Sequence, residues 1–254
     1  MDVTDDDGVR TVTFDRPEVL NAFTIQTARD YADALAGATP DDHDAVVVTG
    51  EGRAFSAGGD IEAMKERDAT PAESYDRLTG SFGRVVEEAL TLQVPIVAKV
   101  NGDAVGAGLA VAGAADLAYA AESASFSCAF VRVGLIPDAG GSFLLPHLVG
   151  LRATKRLAFT GERFSAREAA DLGLINEAVP DGDLDDRVGS VVDRLQNGPT
   201  RTIGLTKRAI HGNLGRGWRD AVEYENNVQI QAYGTEAHEE GVDAFLEGRE
   251  PDWD

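Results

Sequence analysis

The chain has 254 residues, 43% of them hydrophobic and 26% charged, which excludes collagen-like, coiled-coil and wholly disordered chains and leaves length for a sizeable core. Its net charge of −21 repels phosphate backbones, so no nucleic-acid partner is expected. No apolar run approaches the roughly 20 residues of a membrane helix, the start MDVTDDDGVR lacks the basic and apolar parts of a signal peptide, and the single Cys128 can form no intrachain disulfide; the expected compartment is the cytoplasm, with no membrane partner.

In chain order, Val9–Phe14 alternates as a strand does, and Ile25–Leu35 is Ala-rich with helical spacing. Ala45–Thr49 is a continuous β-branched run typical of a strand buried on both faces. Residues 50–60 read as a glycine-rich loop. Thr70-Pro-Ala-Glu73 is a capping box with proline at the first helical position, and Phe82, Val85, Val86, Ala89 and Leu90 continue the stripe of that helix. Pro95–Val100 is a second buried strand, turned by Asn101-Gly102. Gly108–Ala114, small and apolar throughout, suits a buried helix. Leu117–Ala120 and Ala124–Cys128 read as short strands, Ser165-Ala-Arg-Glu168 as a capping box leading a helix to Leu172, and Ile175–Val179 as a last strand. From Asp183 to about Leu246 the chain reads as helical, with breaks near Asn197–Pro199 and Gly212–Gly217. Strands alternate with helices in the first two-thirds, so a parallel-rich α/β core is expected, followed by a helical extension.

Two small-residue loops follow the predicted buried strands: Arg53-Ala-Phe-Ser-Ala-Gly-Gly-Asp60 and Gly102-Asp-Ala-Val-Gly-Ala-Gly108. Loops beyond strand ends are where α/β sheets bind ligands. A helix starting near Gly108 would aim free N–H groups at such a site, and one donor from each loop would make an oxyanion hole. The plainer alternative is tight helix–strand packing. A Rossmann fingerprint is excluded because Val111 stands where its last glycine belongs, and no Gly-Lys-Ser/Thr follows either loop. In Gly134-Leu-Ile-Pro-Asp-Ala-Gly-Gly141 the proline and glycines present Asp138, either as a base or as a turn former. His43, His147, His211 and His238 show no ligand spacing, the Asp runs match no EF-hand loop, and no metal is expected. Cys128 reads as a core residue, and Trp218 and Tyr224 are expected to pack in the C-terminal helices, with a subunit contact as the alternative.

Arg16-Pro-Glu-Val-Leu-Asn-Ala22, Phe55-Ser-Ala-Gly-Gly-Asp-Ile61, Val100-Asn-Gly-Asp-Ala-Val-Gly-Ala-Gly108 and Gly134–Gly141, in that order, resemble the enoyl-CoA hydratase/isomerase (crotonase) superfamily. Ala244-Phe-Leu-Glu-Gly-Arg249 is similar to the family's C-terminal end. The resemblance implies a ββα-spiral core over residues 1–195 and a helical oligomerisation region over 196–254, forming a homotrimer or a dimer of trimers. It also implies acyl-CoA thioester substrates, with no cofactor besides the CoA that the substrate carries. By position, the oxyanion donors fall on Ala57 and Ala107. Ala57, Gly58, Gly59, Asp60, Ile61 and Ala107 line the CoA path, and Arg53 is expected to meet a CoA phosphate.

The two glutamates of family hydratases fall here on Ala110 and Phe130, neither of which moves a proton. Asp138 coincides with the aspartate of a branch resembling the phenylacetate-pathway ring-epoxide isomerase and certain enoyl-CoA isomerases. The expectation is therefore an acyl-CoA isomerase with Asp138 as base; the alternatives are a hydratase, a nucleophilic Asp138 as in the superfamily's dehalogenases, and a non-catalytic acyl-CoA-binding protein. Phe126, Phe130, Phe143 and Leu144 are expected to form an apolar acyl wall or to lie in the core. The acids are scattered rather than gathered in one tail, and the lysines are only Lys65, Lys99, Lys155 and Lys207. Such a surface suits a salt-loaded cytosol, where screening shortens to about 3 Å at 1 M; an acidic balance by chance is the alternative.

Overall fold

The computed structural model describes residues 1–65 and 68–253; Glu66 and Arg67 of the expected core and Asp254 of the expected helical region lie outside them. The strands are β1 (Asp2–Asp6), β2 (Val9–Phe14), β3 (Ala45–Gly50), β4 (Ala54–Ser56), β5 (Ile96–Val100), β6 (Asp103–Val105), β7 (Leu117–Ala121), β8 (Ser125–Ser127), β9 (Arg163–Ser165) and β10 (Glu177–Val179). They form two sheets, ordered β1-β2-β3-β5-β7-β10 and β4-β6-β8-β9. Pairing is parallel except between β1 and β2 and between β8 and β9. Each of β3, β5 and β7 is thus followed at once by a short strand of the second sheet. That repeated step is the spiral of the crotonase fold.

The β-branched run of β3 explains its place. Val46 and Val48 enter the main core with Phe14, Tyr31 and Leu109. Ala45 and Val47 face the other way, onto Leu184, Val188, Val191 and Val192. A strand covered on both faces needs no polar alternation. Phe14 packs edge-on against Phe23, Tyr31 and Phe55, at 4.9, 5.3 and 5.5 Å between ring centres. That cluster lies under the first glycine-rich loop.

The helices are α1 (Ile25–Ala36), α2 (Ile61–Lys65), α3 (Pro71–Leu78), α4 (Arg84–Thr91), α5 (Ala107–Ala114), α6 (Gly141–Leu148), α7 (Gly150–Thr160), α8 (Ala166–Asp171), α9 (Leu184–Gln196), α10 (Thr200–Gly212), α11 (Trp218–Tyr233) and α12 (Glu236–Glu247). The Thr70–Glu73 capping box forms as the sequence predicts, but a π-helical turn over Thr79–Gly83 separates α3 from α4. The second box forms only by half: Ser165 caps the Glu168 amide, while the Glu168 carboxylate turns to Arg156 at 2.7 Å. All eight residues of α5 are buried. The last helical stretch has an extra break at Gly234-Thr235. Tyr224 packs beneath Arg216 at 4.4 Å, whereas Trp218 is 72% exposed and not part of the core. Among the described residues no helix is long and apolar enough to cross a membrane.

Two expected loops contain strands. β4 lies inside the glycine-rich stretch 50–60 and β6 inside 102–108. Each is three residues long and owes its extended form to pairing, β4 with β6 and β6 with β8 as well.

Candidate active site

β4 and β6 run side by side, and the chain leaves both at one end of the second sheet. Gly58 follows β4 and Gly106 follows β6. A Cβ on Gly58 would lie 2.6 Å from the Val105 carbonyl oxygen and 3.5 Å from the Ala107 nitrogen, and the residue's φ is +93°. Only glycine accepts that approach in that conformation. The two loops therefore touch through bare backbone.

Ala107 opens α5, and no side chain caps that helix. Its amide has no carbonyl of its own helix to meet. On the other loop, the Phe23 amide donates to the Gly58 carbonyl (2.7 Å) and the Asp60 amide to the Phe23 carbonyl (2.8 Å). Gly59 lies between them in a single parallel bridge. Its N–H faces away from Phe23 and meets no acceptor among the described residues. Ala57 is different. Its N–H already donates to the Leu20 carbonyl at 2.8 Å. The expected oxyanion donor at Ala57 is therefore corrected: that hydrogen is spent within the protein, and Gly59 carries the free one.

Gly59 and Ala107 line one cavity of about 360 Å³. Its walls include Phe23, Leu78, Phe82, Phe130 and Leu135, and its charged groups among the described residues are Asp60, Arg132 and Asp138. The two carboxylates differ. Asp60 accepts from the Ala63 amide at 3.1 Å and from Arg16 at 3.1 Å. The Ala63 amide first, and Arg16 with it, hold its carboxyl below the usual range. Burial pushes the Asp138 carboxyl above the usual range, opposed only by its own backbone amide. No side chain among the described residues pairs with it. Asp138 is held by the turn itself: the Gly141 amide donates to its carbonyl (2.8 Å), and Ala139 and Gly140 take left-handed φ values of 49° and 79°. A Cβ on Gly141 would sit 3.9 Å from the Ala110 Cβ, so this turn rests against Ala110.

The sequence matches the enoyl-CoA hydratase/isomerase family profile over residues 4–254. The chain belongs to that family. A relative from Rhodobacter capsulatus, named "Probable enoyl-CoA hydratase", is 36% identical over 245 residues, covering 96% of this chain and 94% of its own. The 1,2-epoxyphenylacetyl-CoA isomerase of Escherichia coli is 35% identical over 246 residues, covering 96% and 94%. The crystal structure of an enoyl-CoA hydratase from Mycobacterium smegmatis superposes with a TM-score of 0.91 at 30% identity, covering 99% of this chain and 97% of that one. The protein is thus an acyl-CoA enzyme of the enoyl-CoA hydratase/isomerase family, with the crotonase fold.

Within this family member, the cavity gathers Ala57, Gly58, Gly59, Asp60, Ile61, Ala107 and Asp138 as lining residues. Arg53 is not among them; it is exposed in the turn before β4. Of the four expected wall residues only Phe130 lines the cavity. Phe126 and Leu144 are buried in the core, and Phe143 is 45% exposed against His147. Cys128 is fully buried, and burial pushes its thiol up to about 11. The sequence reading missed Phe23, Phe82 and Arg132 as lining residues and Arg16 as the partner of Asp60. Arg16 opens one of the family-like segments, which was its signal; Arg132 had none.

Proposed function

We propose that the protein is an acyl-CoA isomerase that moves a proton through a thioester enolate. The observation that carries the reading is Asp138: it is the cavity carboxylate that no cation or side-chain donor among the described residues pairs with, and burial raises its proton affinity. Ala110 and Phe130 occupy the places where the resemblance puts the glutamates of family hydratases, and Asp60 is held by Arg16 and the Ala63 amide, so Asp138 is the carboxylate left for proton transfer. One suffices for isomerisation.

In the proposed step, Asp138 takes a proton from C2 of a 3-enoyl-CoA. The C–H electron pair moves toward the thioester, and the carbonyl oxygen gains negative charge. The Gly59 and Ala107 amides donate to that oxygen, each worth about 10²–10³-fold in rate. The protonated Asp138 then delivers the proton to C4, giving the conjugated 2-enoyl-CoA. No electrons enter or leave, and no cofactor takes part beyond the CoA of the substrate. The relative named 1,2-epoxyphenylacetyl-CoA isomerase supports a ring-bearing acyl-CoA as a second substrate class. Phe23, Phe82 and Phe130 in the cavity wall suit such a ring. The C-terminal helices leave Phe245 86% and Leu246 76% exposed; we assign that face to contacts between copies in a trimer or a dimer of trimers, which light scattering checks.

The test is direct. Purified protein is added to a 3-enoyl-CoA and, separately, to a 2-enoyl-CoA. Conjugated-thioester absorbance should rise in the first and be absent from the Asp138→Asn variant. Loss of 2-enoyl absorbance without isomerisation would make the protein a hydratase. Binding with no turnover of either, or of a ring-epoxide acyl-CoA, would make it a non-catalytic acyl-CoA-binding protein.

A further inference from the structure

We propose that Arg16 and Asp60 form a positioning pair for the Gly59 amide, and that Arg16 also neutralises the fixed anion beside the developing oxyanion. The proposal rests on the reading of Gly59 and Ala107 as the oxyanion donors. Asp60 follows Gly59 directly, and its Oδ2 accepts from both Nη1 and Nη2 of Arg16 at 3.1 Å. The same Nη1 donates to the Ala22 carbonyl at 2.7 Å. Ala22 precedes Phe23, whose amide and carbonyl bind the residues on either side of Gly59. One guanidinium thus clasps both sides of the bridge that presents the free N–H.

Arg16 is itself fixed. Its amide donates to Asn21 Oδ1 at 2.9 Å, and Asn21 Nδ2 donates to the Ala54 carbonyl of β4 at 2.8 Å and to Glu51 at 3.0 Å. Asn21 holds a left-handed φ of 58° to do so. The chain of bonds runs from β4 through Asn21 and Arg16 to Asp60, and so to the amide. Arg16 does not line the cavity. It acts through Gly59 rather than on the substrate.

The charge gives the pair a second effect. Asp60 stays ionised, held so by the Ala63 amide and by Arg16. An unpaired carboxylate next to Gly59 would oppose negative charge on the thioester oxygen. Arg16 offsets it, and its two-pronged geometry is one that lysine cannot reproduce.

The experiment compares the whole protein with Arg16→Met, Arg16→Lys, Asp60→Asn and the Arg16→Met/Asp60→Asn double variant. Arg16→Met should lower kcat about 10- to 100-fold with KM changed less than about threefold. Arg16→Lys should fall between, and adding Asp60→Asn to Arg16→Met should restore part of kcat by removing the orphaned charge. A purely structural role would not give that rescue. The second readout is the absorbance of bound cinnamoyl-CoA, which shifts red when its carbonyl oxygen is polarised. The wild type should show the shift, and Arg16→Met should bind the ligand with the shift diminished. Wild-type kcat and red shift in Arg16→Met would overturn the proposal. No red shift in the wild type would overturn the donor reading itself, and the pair with it. If Arg16→Met fails to fold by thermal melt, Arg16→Lys and Asp60→Asn carry the same comparison.

Discussion

Gly58 lies so close to Val105 that a methyl group added to it would come within 2.6 Å of the Val105 carbonyl oxygen. This contact joins the two loops that carry the free amides of Gly59 and Ala107. Gly58→Ala must push the loops apart and adopt φ +93°, at a cost on the order of 1–2 kcal/mol. Displacing one donor should cost about 100-fold in kcat. Steady-state kinetics and a melting curve check both; an active Gly58→Ala protein would show that the contact does not set the site.

Asp138 links activity to stability with opposite signs. Burial raises its folded pKa above the ordinary 3.8. A base works only when ionised, so kcat/KM should climb with pH through that raised value. Stability runs the other way. The folded protein holds this proton more tightly than the unfolded chain, so the Asp138 contribution declines as pH rises from 3.8 through the folded pKa. Asp138→Asn should therefore lose about 10²–10⁴-fold in rate, yet melt at or above the wild-type temperature at pH 7. A lower melting temperature would show that Asp138 serves the fold.

Much of the fold was legible because burial leaves a mark on composition. β3 opens on the run Ala45–Val48 and β5 is apolar but for Lys99, and the wholly apolar α5 suits only an interior place. β4 and β6 were not legible, because three-residue strands take their shape from each other. The site followed the same division. Asp138 stood out by its turn, whereas the choice between Ala57 and Gly59 depends on the Leu20 carbonyl, which takes the Ala57 hydrogen. No local pattern in the first glycine-rich loop reports on a carbonyl so far back in the chain. Arg53 matched the family by position alone, and its exposed turn keeps it from the cavity lining.

Lys207 of α10 is tied to the core through a buried ion pair. Its Nζ lies 2.7 Å from Asp116 Oδ2 and 3.3 Å from the Val94 carbonyl, with 5% of the side chain exposed. Burial lowers the lysine pKa, and Asp116 works against that shift. Lys207→Met would leave Asp116 without its cation and should cost about 3 kcal/mol by urea denaturation. Activity per folded molecule should stay within about twofold, since neither residue lines the cavity. An unchanged urea midpoint would mean that the pair adds nothing to folding.

A net charge of −21 should make stability salt-dependent. The edge strand β1, exposed along its length, carries Asp2, Asp5 and Asp6, of which Asp5 pairs with Arg10 at 2.8 Å. Screening at molar salt shortens charge repulsion to about 3 Å. The denaturation midpoint should rise between dilute buffer and 2 M KCl; equal midpoints would contradict a protein adapted to a salt-loaded cytosol.

If Asp138 makes a thioester enolate, it exchanges the proton at C2 with solvent. A saturated acyl-CoA, which can be neither hydrated nor isomerised, is incubated with the protein in D₂O and followed by NMR. Deuterium should enter C2 with the wild type and not with Asp138→Asn. Equal exchange in the two proteins, or none in a wild type that hydrates 2-enoyl-CoA, would contradict it.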